Sequence, residues 1–343
     1  MRELLKAVAF TVPAINRLRN ERDQAKMELD QARTALEAAQ GELAIIRSGA
    51  AMQASEPASG LQMLEGTPYS RYGVPIEYLP SRDFEPRWGY SKPRIPSLDQ
   101  WFRDHHADYD AFLKSMRAYA PQLANIPLDF DEKNLPLPAW AGVPYCAFDG
   151  LTLYTMIRTH KPKRYLEIGS GITTCYAKLA VKDGALSTKI TSIDPEPRAK
   201  IDTICDEIIR DGLETCDLSV FDVLEAGDIL FFDGSHRTFM NSDVTVFFID
   251  ILPRIKPGVI VHIHDIALPW DYDNYFKNWY WNEAYMLAVY MMGNQHRINP
   301  LMPTGYVCRD GAFESELANP FIDLGKYNDG WRGGGAMWFT HKA

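Results

Sequence analysis

The stretch from Arg164 to Thr174 constrains the fold of this chain more than any other. Residues 164–168 are predicted to form a short buried strand, and a helix opened by hydroxyl residues is predicted over 173–182. Gly169 and Gly171 form the turn between them. Glycine lets a ligand approach the backbone closely, and a helix start offers unpaired N–H groups. The stretch therefore predicts a cofactor site at the end of a strand.

The residues around this turn favour S-adenosylmethionine over a dinucleotide. Thr174 stands where a dinucleotide fingerprint has its third glycine. Glu167 at the strand end would repel a pyrophosphate and attract an ammonium group. Asp194, at the tip of the next predicted strand, can accept hydrogen bonds from both ribose hydroxyls. The predicted cofactor-binding residues are Glu167, Gly169, Ser170, Gly171, Thr173, Asp194 and Asp233.

From Asp149 onward, predicted helices and strands alternate. The predicted strands span 164–168, 189–193, 217–221, 228–232, 258–263 and 336–341. The predicted helices span 149–160, capped by Asp149, then 173–182, 198–210, 240–253 and 279–292. This alternation predicts an α/β, doubly wound, mostly parallel Rossmann-like sheet, whose ligands lie beyond the carboxyl ends of the strands.

The N-terminal part has a different character. Apolar residues repeat in heptads over 15–46, which predicts a coiled-coil helix over 1–47 and a homo-oligomer formed through it. The alternatives are one amphipathic helix lying on the globular domain, or association with the inner membrane face. A linker rich in Ala, Ser, Gly and Pro is predicted over 48–66. A cap over 67–145, with one helix over 97–119, precedes the main domain over 146–343.

Composition narrows the range of functions. The 343 residues are 46% hydrophobic and carry a net charge of −9, which argues against a general nucleic-acid binder. The five cysteines are an odd number without C-x-x-C spacing, so we expect neither a disulfide framework nor a zinc ribbon. The apolar run over 7–15 is too short to span a bilayer and lacks a cleavage-like site. We predict a cytoplasmic protein.

Acidic and imidazole groups stand at the tips of two further predicted strands. Asp233 follows one of these strands, and His264 and Asp265 follow the other. If the strands are neighbours, these three converge and predict a site for Mn²⁺, Fe²⁺ or Zn²⁺, with Mg²⁺ less suited to the nitrogen ligand. The alternative is that Asp265 caps a turn and His264 is a core residue. His262 is assigned to the opposite strand face and to a structural role.

Two more groups of residues are candidates for the chemistry. His236, in an Asp-Gly-Ser-His turn, is the predicted general base, because attack by an alcohol hydroxyl is helped by proton removal. Its alternative is an exposed loop residue. Trp270, Asp271 and Tyr272 combine rings that can stack on a sugar with a carboxylate that can accept its hydroxyls. They are the predicted substrate contacts, and an ordinary polar loop is the alternative.

These motifs together resemble the class I S-adenosylmethionine-dependent methyltransferases. The resemblance lies in a subgroup with a Lys-Pro-x-x-x-x-Glu-x-Gly-Ser-Gly opening, an Asp-Gly-Ser-His turn and a later His-Asp-Ile. Here these are residues 161–171, 233–236 and 264–266. The segments Trp281-Asn282-Glu283-x-Tyr285-x-Leu287 and Gly-Gly-Ala-Met-Trp338 also look like that subgroup. The resemblance covers roughly residue 140 to the end.

The resemblance implies a seven-stranded sheet with an antiparallel last strand and with the Asp233 and Asp265 strands side by side. It also implies O-methylation. Metal-dependent sugar methyltransferases of macrolide biosynthesis look like distant relatives, with an acid at the position of Asp233 and an acidic pair at those of His264 and Asp265. They also have a base near His236. This chain departs from them by having an imidazole at position 264.

The predicted reaction is transfer of a methyl group to a sugar hydroxyl of a glycan, of the kind found in surface polysaccharides. The lack of a basic patch favours a neutral, polyhydroxylated acceptor. One alternative is a small natural-product glycoside, and a catechol-like acceptor is another. The runner-up class is a non-catalytic scaffold with a methyltransferase fold.

Overall fold

The computed structural model describes most of the chain from Glu85 onward. The described residues are 85–129, 131, 133, 135–140, 145–197, 200–273, 276, 279–318 and 333–342. The predicted coiled coil over 1–47, the linker over 48–66 and the first part of the cap, 67–84, lie outside them. Within the described part, no helix has the length and apolar character needed to cross a membrane.

A single seven-stranded sheet organises the described part. Its strands are β1 (Arg164–Ile168), β2 (Lys189–Ile193), β3 (Glu207–Ile209), β4 (Ile229–Phe232), β5 (Ile260–Ile263), β6 (Ile298–Pro303) and β7 (Met337–His341). The strand order is β3-β2-β1-β4-β5-β7-β6. The first five strands pair in parallel, and β7 runs antiparallel to both β5 and β6. The prediction of a mostly parallel, Rossmann-like sheet is confirmed, and so is the antiparallel last strand.

Helices accompany the strands. They are α1 (Pro96–Arg103), α2 (His106–Leu123), α3 (Ala147–His160), α4 (Ile172–Asp183), α5 (Asp243–Val246), α6 (Glu283–Asn294), α7 (Thr304–Val307) and α8 (Glu314–Leu317). A π-helix (Phe247–Ile251) and a 3-10 turn (Leu252–Arg254) extend α5. Ser242 begins α5 by accepting a hydrogen bond from the Thr245 backbone N–H, as expected of a serine N-cap.

Both faces of the sheet are covered. On one face, Glu167 in β1 is aligned with Phe231 in β4, and Phe231 is aligned with His262 in β5. The rings of Phe231 and His262 stack with their centroids 3.8 Å apart. On the other face, Phe232 stacks on Phe247 at 4.1 Å. Side chains of successive strand residues alternate between faces, so these two stacks lie on opposite sides of one layer.

Two predicted elements around the middle of the chain are wrong. In place of a helix over 198–210, the described residues form a 3-10 turn, Asp202–Ile204, and the edge strand β3. In place of a strand over 217–221 there is a 3-10 helix, Leu218–Val223. Asp217 begins this helix by accepting the Ser219 N–H at 3.0 Å, a local side-chain bond that competes with strand pairing. The sequence patterns also did not predict strand β6.

Three predicted helices also differ from those observed. Asp149 is not a cap, because it lies inside α3 and is almost fully buried. Its carboxylate accepts the Thr304 hydroxyl at 2.5 Å and the Gly335 N–H at 3.0 Å, which ties α3 to the segment before β7. The helix predicted over 97–119 is two helices, α1 and α2. The helix predicted over 279–292 begins only at Glu283.

Candidate functional site

The turn after β1 is held against the end of β4. Gly169 has a φ of +78°, and a Cβ placed on it would lie 1.9 Å from the Asp233 carbonyl oxygen. The Gly169 N–H donates to the Ile193 carbonyl at 3.1 Å, and the Asp233 N–H donates to the Ile168 carbonyl at 3.0 Å. The turn therefore requires glycine at 169, and it places Asp233 directly beside the predicted cofactor site.

Glu167 supports this turn from inside the protein. Its fully buried carboxylate accepts hydrogen bonds from the hydroxyls of Thr173, Thr174 (2.5 Å) and Tyr165 (3.1 Å). Burial raises the pKa of Glu167 to about 8, against the lowering effect of the three hydroxyls. The predicted direct contact of Glu167 and Thr173 with a cofactor needs correction, because both side chains bond to each other beneath the turn.

Asp194 and Gly171 lie on the open side of the same turn. The Asp194 carboxylate accepts the backbone N–H groups of Ser170 and Glu196, each at 2.8 Å, and is partly exposed. Each carboxylate oxygen has a second lone pair, so both can still accept a hydroxyl. A Cβ placed on Gly171 would meet nothing within 4 Å. Ser170 is buried, and its hydroxyl bonds to Ser192 at 2.8 Å.

Three potential ligand groups converge at the ends of β4 and β5. His236 Nε2 lies 3.4 Å from Asp233 Oδ1 and 3.3 Å from Asp265 Oδ2, and one donor atom from each residue falls within 4.8 Å of the others. His236 and Asp265 both have left-handed backbones, with φ of 61° and 55°. Such a conformation costs about 1–3 kcal/mol in a non-glycine residue and is common at functional sites.

His236 is held from its other side. Nδ1 lies 2.9 Å from Oε2 of the buried Glu283, and the ring centroid lies 4.2 Å from that of Trp281. Burial alone would lower the pKa of His236, but the Glu283 hydrogen bond and the charges of Asp265, Glu283 and Asp233 raise it to about 9. The nitrogen that a general base would use, Nε2, faces Asp233 and Asp265, and the role of His236 as a general base stays a prediction.

The structure places His236, and not the predicted ligand His264, in the group with Asp233 and Asp265. His264 Nε2 lies 3.6 Å from Asp265, and its ring packs at 4.9 Å from Tyr145, with Nδ1 buried. His236 takes its place beside Asp233 and Asp265. His262 is fully buried, as expected of a structural residue, but it shares a face with His264, because strand residues two apart point the same way; their rings are 5.6 Å apart.

The predicted substrate contacts are mostly structural. Trp270 is buried, with the Arg94 guanidinium 4.3 Å above its ring. Asp271 is also buried, and its carboxylate accepts the Arg87 N–H at 2.7 Å and the Tyr285 hydroxyl. Both residues tie the chain after β5 to other segments, so they correct the prediction of sugar contacts. Only Tyr272 of the three is partly exposed.

Three aromatic rings pack around Trp281, whose ring contacts that of His236. The Tyr272 ring lies 6.1 Å from that of Trp281, and Phe276 stacks on Trp281 at 4.5 Å. Trp279 meets Trp281 edge-on at 5.0 Å. We call Tyr272, Phe276, Trp279 and Trp281 the aromatic cluster; all four are partly exposed. Sequence reasoning gave Trp281 and Glu283 no functional role, although the Trp-Asn-Glu motif that contains them is part of the resemblance.

Two comparisons with known proteins find similarity to methyltransferases. Residues 166–266 match the model of a family described as a methyltransferase domain. The match runs from β1 to just beyond Asp265 and includes both the glycine turn and the three converging groups. The SAH-bound Podospora anserina methyltransferase PaMTH1 is 17% identical, with a TM-score of 0.34, over 57% of this chain and 78% of that one. The search of curated proteins returned no significant match. The matched residues are therefore similar to a methyltransferase domain.

Proposed function

We propose that this chain transfers the methyl group of S-adenosylmethionine to a hydroxyl oxygen, assisted by a divalent metal ion held by Asp233, His236 and Asp265. One observation carries the proposal. The backbone of Asp233 packs against the turn at Gly169, and its carboxylate faces His236 at 3.4 Å. A single residue thus joins the cofactor turn to the three converging groups, and methyl transfer requires that cofactor and acceptor lie side by side.

The three side chains fit a metal ion of this kind. Ligand bonds of about 2.0–2.2 Å place neighbouring donor atoms roughly 3.0–3.4 Å apart around one ion. The distances from His236 Nε2 to Asp233 and Asp265, 3.4 and 3.3 Å, match that spacing. Two carboxylates with one imidazole suit Mn²⁺, Fe²⁺ or Zn²⁺ better than Mg²⁺. The left-handed backbones of His236 and Asp265 support the same conclusion, because such strain is retained where function needs it.

Each part of the site has a defined role. The turn from Gly169 to Gly171 and the first N–H groups of α4 receive the amino-acid end of the cofactor, and Asp194 accepts the ribose hydroxyls. A metal ion bound at this place would lower the pKa of a hydroxyl and orient its oxygen, so that its proton could pass to solvent. The O–CH₃ bond then forms as the S–CH₃ bond breaks, and S-adenosylhomocysteine leaves. The aromatic cluster limits the access of water to His236. Alignment of oxygen, methyl carbon and sulfur contributes the remaining rate acceleration.

A sugar is the acceptor that the surroundings favour. The rings of the aromatic cluster are partly exposed, and such rings can pack against the C–H faces of a pyranose, while Asp233 and Asp265 can accept hydroxyl hydrogen bonds. A neutral glycan also suits a chain with a net charge of −9. The heptads over 15–46 support an oligomer that acts repeatedly along one polymer. We therefore propose that the acceptor is a glycan of the surface-polysaccharide type, and a small natural-product glycoside is the alternative acceptor.

The aromatic cluster favours one second candidate, an aromatic hydroxyl such as a catechol. Stacked and edge-on ring contacts would hold a planar acceptor as well as a sugar. The scaffold hypothesis has less support. A scaffold does not need two partly exposed carboxylates facing one imidazole on strained backbones.

The test is a methyl-transfer assay with radiolabelled S-adenosylmethionine. The full chain is treated with chelator and divided into samples without metal, with Mn²⁺ and with Ca²⁺. Each sample is incubated with hexose and deoxysugar oligosaccharides, a glycoside panel and a catechol. Asp233→Asn and Asp265→Asn are assayed beside Asp228→Asn, which changes a buried carboxylate at the opposite end of β4.

We expect Mn²⁺-dependent transfer to an oligosaccharide hydroxyl, strongly reduced in the first two variants and retained in Asp228→Asn. Methyl transfer to the catechol alone would show that the acceptor is an aromatic hydroxyl and not a sugar. Full activity after chelation, together with full activity of Asp265→Asn, would refute the proposed role of a metal ion. Absence of S-adenosylmethionine binding to the folded protein would overturn the methyltransferase assignment as a whole.

A further inference from the structure

The Trp281-Asn282-Glu283 segment encloses the His236 turn from several directions. The Asn282 N–H donates to the His236 carbonyl at 3.0 Å, and the Glu283 N–H points to the same oxygen at 3.4 Å. The Asn282 side-chain oxygen accepts the Thr238 N–H at 2.6 Å. The Trp281 ring covers the imidazole at 4.2 Å. The start of α6 thus holds both the backbone and the ring of His236.

Glu283 makes the most specific of these contacts. Its side chain is fully buried, and Oε2 accepts from His236 Nδ1 at 2.9 Å. Among the described residues, Oε1 has no hydrogen-bond partner. Burying a carboxylate costs on the order of several kcal/mol unless a partner compensates it. The position therefore holds a carboxyl group behind His236 at an energetic cost, where an apolar side chain would be cheaper.

A neutral imidazole carries its proton on one nitrogen only. An acceptor at Nδ1 keeps the proton there and leaves the Nε2 lone pair available. Nε2 is the atom that faces Asp233 and Asp265. A carboxylate behind a ligand histidine also fixes the ring and makes the nitrogen a better donor.

We propose that Glu283 is a positioning residue, which holds His236 so that Nε2 serves as a metal donor between Asp233 and Asp265. This inference rests on the proposed metal site and extends it to a residue outside the three ligands. The inference also gives the Trp-Asn-Glu segment a role. Asn282 fixes the His236 turn, Trp281 covers the imidazole ring, and Glu283 keeps the imidazole proton on Nδ1. Glu283 touches neither acceptor nor cofactor in this role.

The test compares the Mn²⁺ affinity of the wild-type full chain with that of Glu283→Gln and Asp228→Asn. Each protein is first treated with chelator, and unbound Mn²⁺ is then measured by electron paramagnetic resonance. Glu283→Gln keeps the size of the side chain and its ability to accept from Nδ1, and removes the charge. Asp228→Asn is the matched control, because Asp228 is also a buried carboxylate that accepts backbone N–H groups, at 2.8 Å from Arg164 and 3.0 Å from Lys163. Thermal unfolding and S-adenosylmethionine calorimetry accompany each sample.

We expect Glu283→Gln to raise the Mn²⁺ Kd about 10–100-fold, the range for loss of a group behind a ligand, with cofactor Kd within about threefold of wild type. Saturating Mn²⁺ should restore most of kcat. Asp228→Asn should lower Tm and keep the wild-type Mn²⁺ Kd. A merely structural Glu283 would lower Tm in the same way without changing the Mn²⁺ Kd.

The outcomes separate this inference from the proposed function. If the wild type binds Mn²⁺ and Glu283→Gln binds it equally well, the positioning role is wrong and the metal site stands. If the wild type binds S-adenosylmethionine but neither Mn²⁺ nor Zn²⁺, the metal site is wrong and the positioning role is lost with it. Glu283→Ala extends the series when it folds, and its Mn²⁺ affinity should be lower still.

Discussion

Replacing Gly169 by alanine tests the contact that joins the cofactor turn to Asp233. The new methyl group would lie 1.9 Å from the Asp233 carbonyl oxygen, whereas ordinary contact begins at 3.4 Å, so the two must separate by 3.4 − 1.9 = 1.5 Å. The obstacle is backbone that is itself held by the 3.0 Å bond from the Asp233 N–H to the Ile168 carbonyl. Rotation of a side chain cannot relieve it.

Two costs add in this variant. Alanine at a φ of +78° costs about 1–2 kcal/mol, and forcing a methyl group into a packed site costs about 1–3 kcal/mol more. The free energy of unfolding should fall by about 2–5 kcal/mol, which corresponds to a Tm decrease of roughly 4–20 °C for a domain of this size. Because Asp233 must move, cofactor and Mn²⁺ affinity should both fall.

Gly171→Ala is the control two residues away. A Cβ there meets nothing within 4 Å in the protein, but it would occupy space that we assign to the cofactor. We expect its Tm to fall by less than half as much, while calorimetry shows weakened S-adenosylmethionine binding. The reasoning is refuted if Gly169→Ala melts within about 2 °C of wild type, or if Gly171→Ala is the more destabilised of the two.

Two further predictions concern corrected residues. The pKa of Glu167 is raised from its ordinary value of 4.5 to about 8, so its protonated form is favoured by folding. The stability that this gives is complete below about pH 4.5 and is lost as pH rises through about 8. In urea unfolding, the free energy of unfolding of Glu167→Gln should therefore lie closer to, or further above, that of wild type at pH 9 than at pH 5. A difference that is the same at both pH values would contradict the raised pKa. Trp270→Ala should lower the free energy of unfolding by about 3–5 kcal/mol because the ring is buried beneath Arg94. The milder Trp270→Phe should keep the KM for acceptor within about twofold, and a large increase in KM would restore its substrate role.

The parts of the fold that were predicted from sequence depend on local patterns. The strand before Gly169, the helix after it and the strand before Asp233 are each encoded by adjacent residues. The strand predicted over 217–221 was wrong because one capping side chain, that of Asp217, outweighed the strand propensity of its neighbours. Within the described residues, strand β6 pairs with β7 alone, and β7 follows a long connection. The proline-containing sequence of β6 therefore gave little local signal.

The site shows the same division. The approach of the Asp233 and Asp265 strands follows from the sheet order, which the resemblance supplied. Which histidine lies between these two carboxylates does not follow from the sheet order. The position of His236 depends on left-handed backbones at 236 and 265 and on Glu283, which is far away in sequence. Trp270 and Asp271 were assigned to substrate for their chemistry, and their burial depends on contacts with Arg94 and Arg87 that no short pattern reveals.

The balance of charge around His236 leads to a last prediction. Glu283, Asp233 and Asp265 place three carboxylates around one imidazole, so even a protonated His236 leaves an excess of negative charge, which a divalent ion would reduce. Binding at 100 times the Kd stabilises a protein by about 2.7 kcal/mol, so saturating Mn²⁺ should raise Tm by roughly 5–11 °C.

Asp265→Asn separates this effect from ordinary stabilisation. Asp265→Asn keeps the size of a side chain that is 30% exposed and leaves Asp233 and Glu283 beside His236, so the loss of this one carboxylate should cost only about 0–1 kcal/mol. The chelated variant should therefore melt close to chelated wild type, while Mn²⁺ should no longer raise its Tm. A carboxylate that contributes little without metal and is needed for the response to metal is what a ligand requires. If chelated Asp265→Asn is strongly destabilised and Mn²⁺ still raises its Tm, Asp265 is a structural residue and the ion lies elsewhere.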